Sequence, residues 1–121
     1  MEKRKILIID DEREICLVLA EILESQGFEV KRASSAWKAL NVIHEFYPDL
    51  LLLDVMMPII SGLEFLKKFR EISKFKTTPV ILMSAIRINA RQEDYDWNEF
   101  VQKPFNLNYI LACIQKCLVL K

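Results

Sequence analysis

The sequence predicts an α/β domain built on a doubly wound, five-stranded parallel sheet with helices on both faces. Three observations lead there. Apolar runs of strand length recur between longer segments with helical spacing, the alternation that builds parallel sheets. Four of the five runs are nearly continuous in apolar residues, as strands covered on both faces tend to be. The 121 residues, 52% of them hydrophobic, suffice for one core and leave little room for two, so residues 1–121 are expected to form a single domain.

The strand candidates in order are Lys5 to Ile9, Phe28 to Ala33, Asp49 to Leu53, Pro79 to Met83 and Glu99 to Gln102. The second alternates through Glu29-Val30-Lys31-Arg32, which suits a sheet edge. Ile15, Val18, Leu19, Ile22 and Leu23 mark one face of a first helix, closed by Gly27 as a C-terminal cap. A second helix carries Ala36, Ala39, Leu40 and Ile43, and a third carries Leu63, Leu66, Phe69 and Ile72. The last carries Ile110, Leu111, Ile114 and Leu118 behind an Asn106 cap. From Ile86 to Trp97 apolar residues are sparse, and one short helix or an irregular loop is expected. Right-handed crossovers then close five βα units into a sheet of order 2-1-3-4-5, the flavodoxin-like arrangement.

Composition excludes several classes of function. Seventeen basic residues balance seventeen acidic ones, so no overall field draws the chain to nucleic acid or to an anionic membrane. Trp37 and Trp97 lack the basic neighbours of a base-stacking platform. The apolar run Ile6 to Ile9 is too short for a signal-peptide core or a membrane span, which points to the cytoplasm. Cys16, Cys113 and Cys117 lack paired spacing and are expected as reduced thiols, the last two on one packed helix face. His44 stands alone in the second helix, with no clustered ligand.

Ligands of doubly wound sheets bind beyond the carboxyl ends of the strands, so the residues there carry the functional signal. The first strand ends in Asp10-Asp11, the third in Asp54, the fourth in Ser84-Ala85 and the fifth in Lys103-Pro104. Singly, each has an ordinary reading: Asp10 or Asp11 as a helix cap, Asp54 as a turn former before Pro58, Ser84 as a strand-end hydroxyl, Lys103 as a solvated turn residue. Their coincidence at one sheet edge is what argues for a site. With strands 1 and 3 adjacent, three carboxylates meet, and like charges so close raise one another's pKa unless a cation lies among them. Mg²⁺ suits such a gap, because it takes a few carboxylate oxygens and keeps room for water and phosphate.

The runs Ile6-Leu7-Ile8-Ile9-Asp10-Asp11-Glu12, Leu51-Leu52-Leu53-Asp54-Val55-Met56-Met57-Pro58, Gly62-Leu63-Glu64-Phe65-Leu66, Ser84-Ala85 and Lys103-Pro104-Phe105 together resemble the receiver domain of two-component response regulators, over essentially the whole chain. The resemblance implies that Asp54 accepts a phosphoryl group from a sensor histidine kinase or a histidine phosphotransfer protein. It implies Mg²⁺ on Asp10, Asp11, Asp54 and the carbonyl of Met56, with Ser84 and Lys103 binding the phosphoryl oxygens. Ser84 and the reorienting Phe100 would form the switch. Such a chain is a phosphorelay switch with self-catalysed phosphotransfer and autodephosphorylation rather than an enzyme with turnover. As a stand-alone receiver it would act on a downstream protein target, not directly on nucleic acid. Met56 and Ile86 offer no polar group to an attacking water, which implies a long-lived phosphorylated form.

Three rival readings share this sheet. A flavin-phosphate module fits poorly, since Asp10-Asp11 would repel the phosphate and no Gly-rich or Ser/Thr-rich loop is present. An aspartyl-phosphate hydrolase generally has an acid two residues after its nucleophile, where Met56 stands here. A degenerate receiver serving as a phosphorylation-independent scaffold would have no need of the complete acid, hydroxyl and lysine set. Trp97-Asn98-Glu99 also replaces the Gly-Ala-Asp run common before the last strand, and Ile59-Ile60-Ser61 replaces a more polar loop, suggesting a partner contact.

Overall fold

The computed structural model describes residues 3–86 and 95–119. Among them, strands β1 (Lys5–Ile9), β2 (Glu29–Ala33), β3 (Leu50–Asp54), β4 (Val80–Ser84) and β5 (Glu99–Gln102) are interleaved with helices α1 (Arg13–Ser25), α2 (Ala36–Phe46), α3 (Gly62–Glu71) and α4 (Leu107–Val119). The sheet order is β2-β1-β3-β4-β5 and every pair is parallel, as the strand pattern predicts. Most of the stretch expected as a short helix or loop from Ile86 to Trp97 lies outside the described residues.

Period-two alternation divides the interior into two cores. Leu7, Ile9, Leu51, Leu53, Val80 and Leu82 face α2 and α3, where they meet Ala39, Ile43, Phe65 and Phe69. Ile6, Ile8, Leu50, Leu52, Ile81 and Met83 face α1 and α4, where they meet Leu19, Leu23, Ile110 and Ile114. Cys113 and Cys117 pack in this second core as buried free thiols. Edge strand β2 alternates between exposed and covered residues, in keeping with its sequence.

The face of α1 differs from the sequence expectation. Cys16, Leu19 and Leu23 are buried, while Ile15 and Val18 remain exposed. They overhang the flank of the helix instead of the sheet, lining a shallow cavity of about 300 Å³ with Phe105 and Leu107. The helix ends as predicted at Gly27, whose φ of +96° suits glycine. Its N–H donates to the Glu24 carbonyl at 3.0 Å and that of Phe28 to the Leu23 carbonyl at 3.2 Å, a closed Schellman cap.

Two caps fix the helices that flank the sheet edge. Asn106 Oδ1 accepts from the N–H groups of Asn108 and Tyr109 at 2.8 and 3.2 Å, starting α4 as expected. At α3, Ser61 Oγ accepts the N–H of Glu64 at 3.2 Å, in a Ser-Gly-Leu-Glu run with the spacing of a capping box. Between them Gly62 lies so close to the end of β3 that an added Cβ would stand 2.1 Å from the Asp54 carbonyl oxygen. Farther along α3, Arg70 reaches across to the approach to β5. Its Nε and Nη2 donate to the Asp96 carbonyl at 3.0 and 2.8 Å, and its Nη1 to the Phe75 carbonyl at 2.7 Å.

Candidate functional site

Strand register brings the polar strand ends together. Ile9 pairs with Leu53, so Asp10 follows at the level of Asp54; Asp54 pairs with Met83, and Ser84 with Gln102. Asp10 and Asp54 thus stand level, and each of the two further steps, from β3 to β4 and from β4 to β5, advances the polar residue by one position. Only a long side chain on β5 can reach back to β1, and Lys103 has one. Its backbone N–H is pinned to the Ser84 carbonyl at 2.8 Å, and its Nζ donates to Asp10 Oδ2 at 2.7 Å.

Asp10, Asp54 and Ser84 are buried, whereas Asp11 is exposed at the rim. Asp10 Oδ1 accepts the N–H of Glu12 at 2.9 Å while Oδ2 takes the lysine, so its role exceeds that of a helix cap. Asp54 Oδ1 accepts the N–H of Met56 at 3.2 Å, and Oδ2 lies 3.7 Å from Lys103 Nζ. Ser84 Oγ accepts the N–H of Ile86 at 3.2 Å. One carboxylate oxygen from each of Asp10, Asp11 and Asp54 lies within 4.8 Å of the other two. Such an all-oxygen set matches a hard divalent cation rather than zinc.

The electrostatics follow from burial. Loss of solvation, and next the charge of Asp10, push the Asp54 carboxyl from its ordinary 3.8 up to about 7, against the pull of Lys103 and the Met56 N–H. Burial alone would lower the Lys103 pKa, but hydrogen bonds to Asp10 and Glu12 outweigh it and hold the ammonium above its usual range. Beneath the site, burial and then Asp10 push the Cys16 thiol up to about 12. It stays protonated, within 3.6 Å of the Asp10 carbonyl, and offers no nucleophile.

Phe100 is half-buried on β5 and meets Trp97 edge-on, with ring centroids 6.4 Å apart. Met56 and Ile86 are exposed beside the site. His44 is exposed on α2, away from the strand ends. One neighbour had no sequence signal beyond its place in the acidic run: Glu12, whose Oε1 accepts from Lys103 Nζ at 2.7 Å. An acid two positions after Asp10 is the only hint, and nothing local joins it to a lysine 91 residues away.

The family model of the response regulator receiver domain matches residues 6–115. The chain belongs to that family. As a receiver it is 36% identical over 122 residues to the transcriptional regulatory protein CpxR homolog of Haemophilus influenzae, covering 94% of this chain and 50% of that protein. It thus spans about half the length of the transcriptional regulators it matches. It is also 32% identical over 124 residues to sporulation initiation phosphotransferase F of Bacillus subtilis, covering 100% of this chain and 98% of that protein. Among solved structures, the chemotaxis protein CheY4 of Vibrio cholerae superposes with a TM-score of 0.90 at 27% identity, over 96% of this chain and 99% of that one. Among the described residues of this receiver, no helix is long and apolar enough to cross a membrane.

Proposed function

We propose that this receiver, with residues 1–121 acting as one domain, takes a phosphoryl group onto Asp54 from the phosphohistidine of a sensor kinase or phosphotransfer protein in the cytoplasm. The observation that carries the reading is the position of Asp54: a buried carboxylate 3.7 Å from a lysine ammonium and within 4.8 Å of two further acids. A phosphotransferase among its full-length relatives supports the same chemistry.

Asp10, Asp11, Asp54 and the Met56 carbonyl would hold Mg²⁺. When bound, the cation neutralises charge on the carboxylates and on the incoming phosphoryl oxygens. The rest falls to the protein. An Asp54 carboxylate oxygen attacks phosphorus, the P–N bond breaks with its electron pair leaving on the imidazole, and an acyl phosphate forms. Lys103 and Ser84 stabilise the transferred group, the first by charge and the second by its hydroxyl. Water later attacks phosphorus, the bond to Asp54 breaks, and inorganic phosphate leaves.

Signalling follows from the new charge on Asp54. The Ser84 hydroxyl turns from the Ile86 N–H toward the phosphoryl group, and Phe100 moves into the vacated space, changing the surface offered to a downstream protein. Incubation with phosphoramidate, with and without Mg²⁺, tests the reading. A Mg²⁺-dependent, acid-labile adduct mapped by mass to Asp54 is expected, and full labelling of Asp54→Asn would overturn the assignment.

A further inference from the structure

The Lys103 ammonium has three N–H donors and stands among three carboxylates, but it does not share itself equally among them. Asp10 Oδ2 and Glu12 Oε1 each lie 2.7 Å from Nζ, within hydrogen-bond range, whereas Asp54 Oδ2 at 3.7 Å is outside it. Asp10 and Asp54 are buried, while the Glu12 side chain is 52% exposed at the rim. The outermost acid therefore holds the ammonium as closely as the innermost one, and draws it away from Asp54.

We propose that Glu12 is a positioning residue that tethers Lys103 off Asp54 in the unphosphorylated receiver, so that acceptance of the phosphoryl group requires the ammonium to exchange Glu12 for a phosphoryl oxygen. The proposal rests on the reading of Asp54 as the acceptor. The phosphoryl oxygens offer Lys103 a stronger partner than Asp54 alone, since charge accumulates on them as transfer proceeds. Glu12 competes for the same donor up to that moment. Its carboxylate is exposed enough to be solvated once released, so the exchange leaves no buried charge unpaired.

The tether sets a threshold rather than a capacity. With Glu12 in place, a donor gains the help of Lys103 only after displacing a charge-assisted hydrogen bond at the rim. Without it, the ammonium is held by Asp10 alone and can turn its remaining donors toward Asp54. Losing a partly exposed ion pair of this kind corresponds to about fivefold in rate at most.

The test uses the full chain with phosphoramidate and Mg²⁺. The initial rate of Asp54 labelling is followed by mass in wild type, Glu12→Ala, Glu12→Gln, Lys103→Ala and the Glu12→Ala/Lys103→Ala double variant. Labelling about threefold to fivefold faster in Glu12→Ala is expected, with Glu12→Gln between it and wild type because the amide oxygen still accepts a weaker bond. In the Lys103→Ala background the same substitution should change the rate by less than about twofold, because a tether has no effect without the group it holds. Equal acceleration in both backgrounds would overturn the tether and leave Glu12 a general repulsive charge.

A second measurement does not depend on rates. The Glu12 side-chain carboxylate ¹³C resonance should differ between resting wild type and Lys103→Ala, and on phosphorylation of wild type it should move to the position seen in Lys103→Ala. An unmoved resonance with Asp54 shown by mass to be labelled would overturn the exchange alone. Absence of any label on Asp54 would instead overturn the acceptor assignment beneath it.

Discussion

Replacing Asp54 by Asn should stabilise the metal-free, unphosphorylated receiver, and by more in mild alkali than in mild acid. The carboxyl is raised from 3.8 to about 7, so the folded chain holds this proton more tightly than the unfolded chain does. Below the lower value both states are protonated and the carboxyl imposes no cost. Between the two values the unfolded chain ionises first, so stability falls as pH rises; above about 7 the cost is complete. A gap of roughly three tenfold steps, at about 1.4 kcal/mol each, sets a ceiling near ~4 kcal/mol. The variant also deprives Lys103 of a charge 3.7 Å away. Water at the rim screens part of the remainder, which leaves an expected gain of ~1–2 kcal/mol. Urea denaturation in a chelator at about pH 8 and about pH 5 measures it, with the advantage of the variant shrinking at the lower pH. A variant no more stable than wild type at the higher pH would refute the view that Asp54 is held ionised at a cost.

Other substitutions probe the same edge by different routes. Asp11→Ala removes an exposed carboxylate from a cluster of three, and Mg²⁺ affinity by calorimetry should fall about tenfold or more, since Mg²⁺ takes few protein ligands. Gly62→Ala places a Cβ 2.1 Å from the Asp54 carbonyl oxygen; a loss of ~2–3 kcal/mol in chemical denaturation is expected, because the clash is with backbone that cannot turn aside. Met56→Asn/Ile86→Glu puts polar groups at two exposed positions beside the site, and loss of the phosphoryl adduct should quicken several-fold as water is oriented for attack.

Much of the fold was legible because its signal is local. Apolar runs, alternating in the case of β2, placed the five strands to within a residue, and the polar residues after them are the ones the strand register brings to one edge as a candidate site. The one-residue shifts are physical: Asp54 belongs to β3 because it pairs with Met83, and Ser84 to β4 because it pairs with Gln102. Hydropathy cannot see a pairing partner. The α1 face departs from its helical spacing for a related reason, since Ile15 and Val18 sit beside Phe105 and Leu107 rather than on the sheet. Glu12 and Arg70 were illegible in their roles. Each acts on a group distant in sequence, Glu12 on Lys103 and Arg70 on the Asp96 carbonyl, and only the closed sheet makes those neighbours.

The two cores on opposite faces of the sheet give the molecule a partition. Leu7 and Ile9 pack with α2 and α3, while Ile6 and Ile8, on the same strand, pack with α1 and α4. Volume removed on one side opens no space on the other, because a layer of hydrogen-bonded backbone lies between. Substitutions paired across the sheet, such as Ile43→Val with Ile114→Val, should therefore sum in their effects to within about 0.5 kcal/mol, whereas pairs within one core should deviate from the sum. Each face can then change its packing, and with it the surface it shows to partners, while the other stays as it is. The strand-end site, fed by backbone from both sides, is the place where the two halves must still agree.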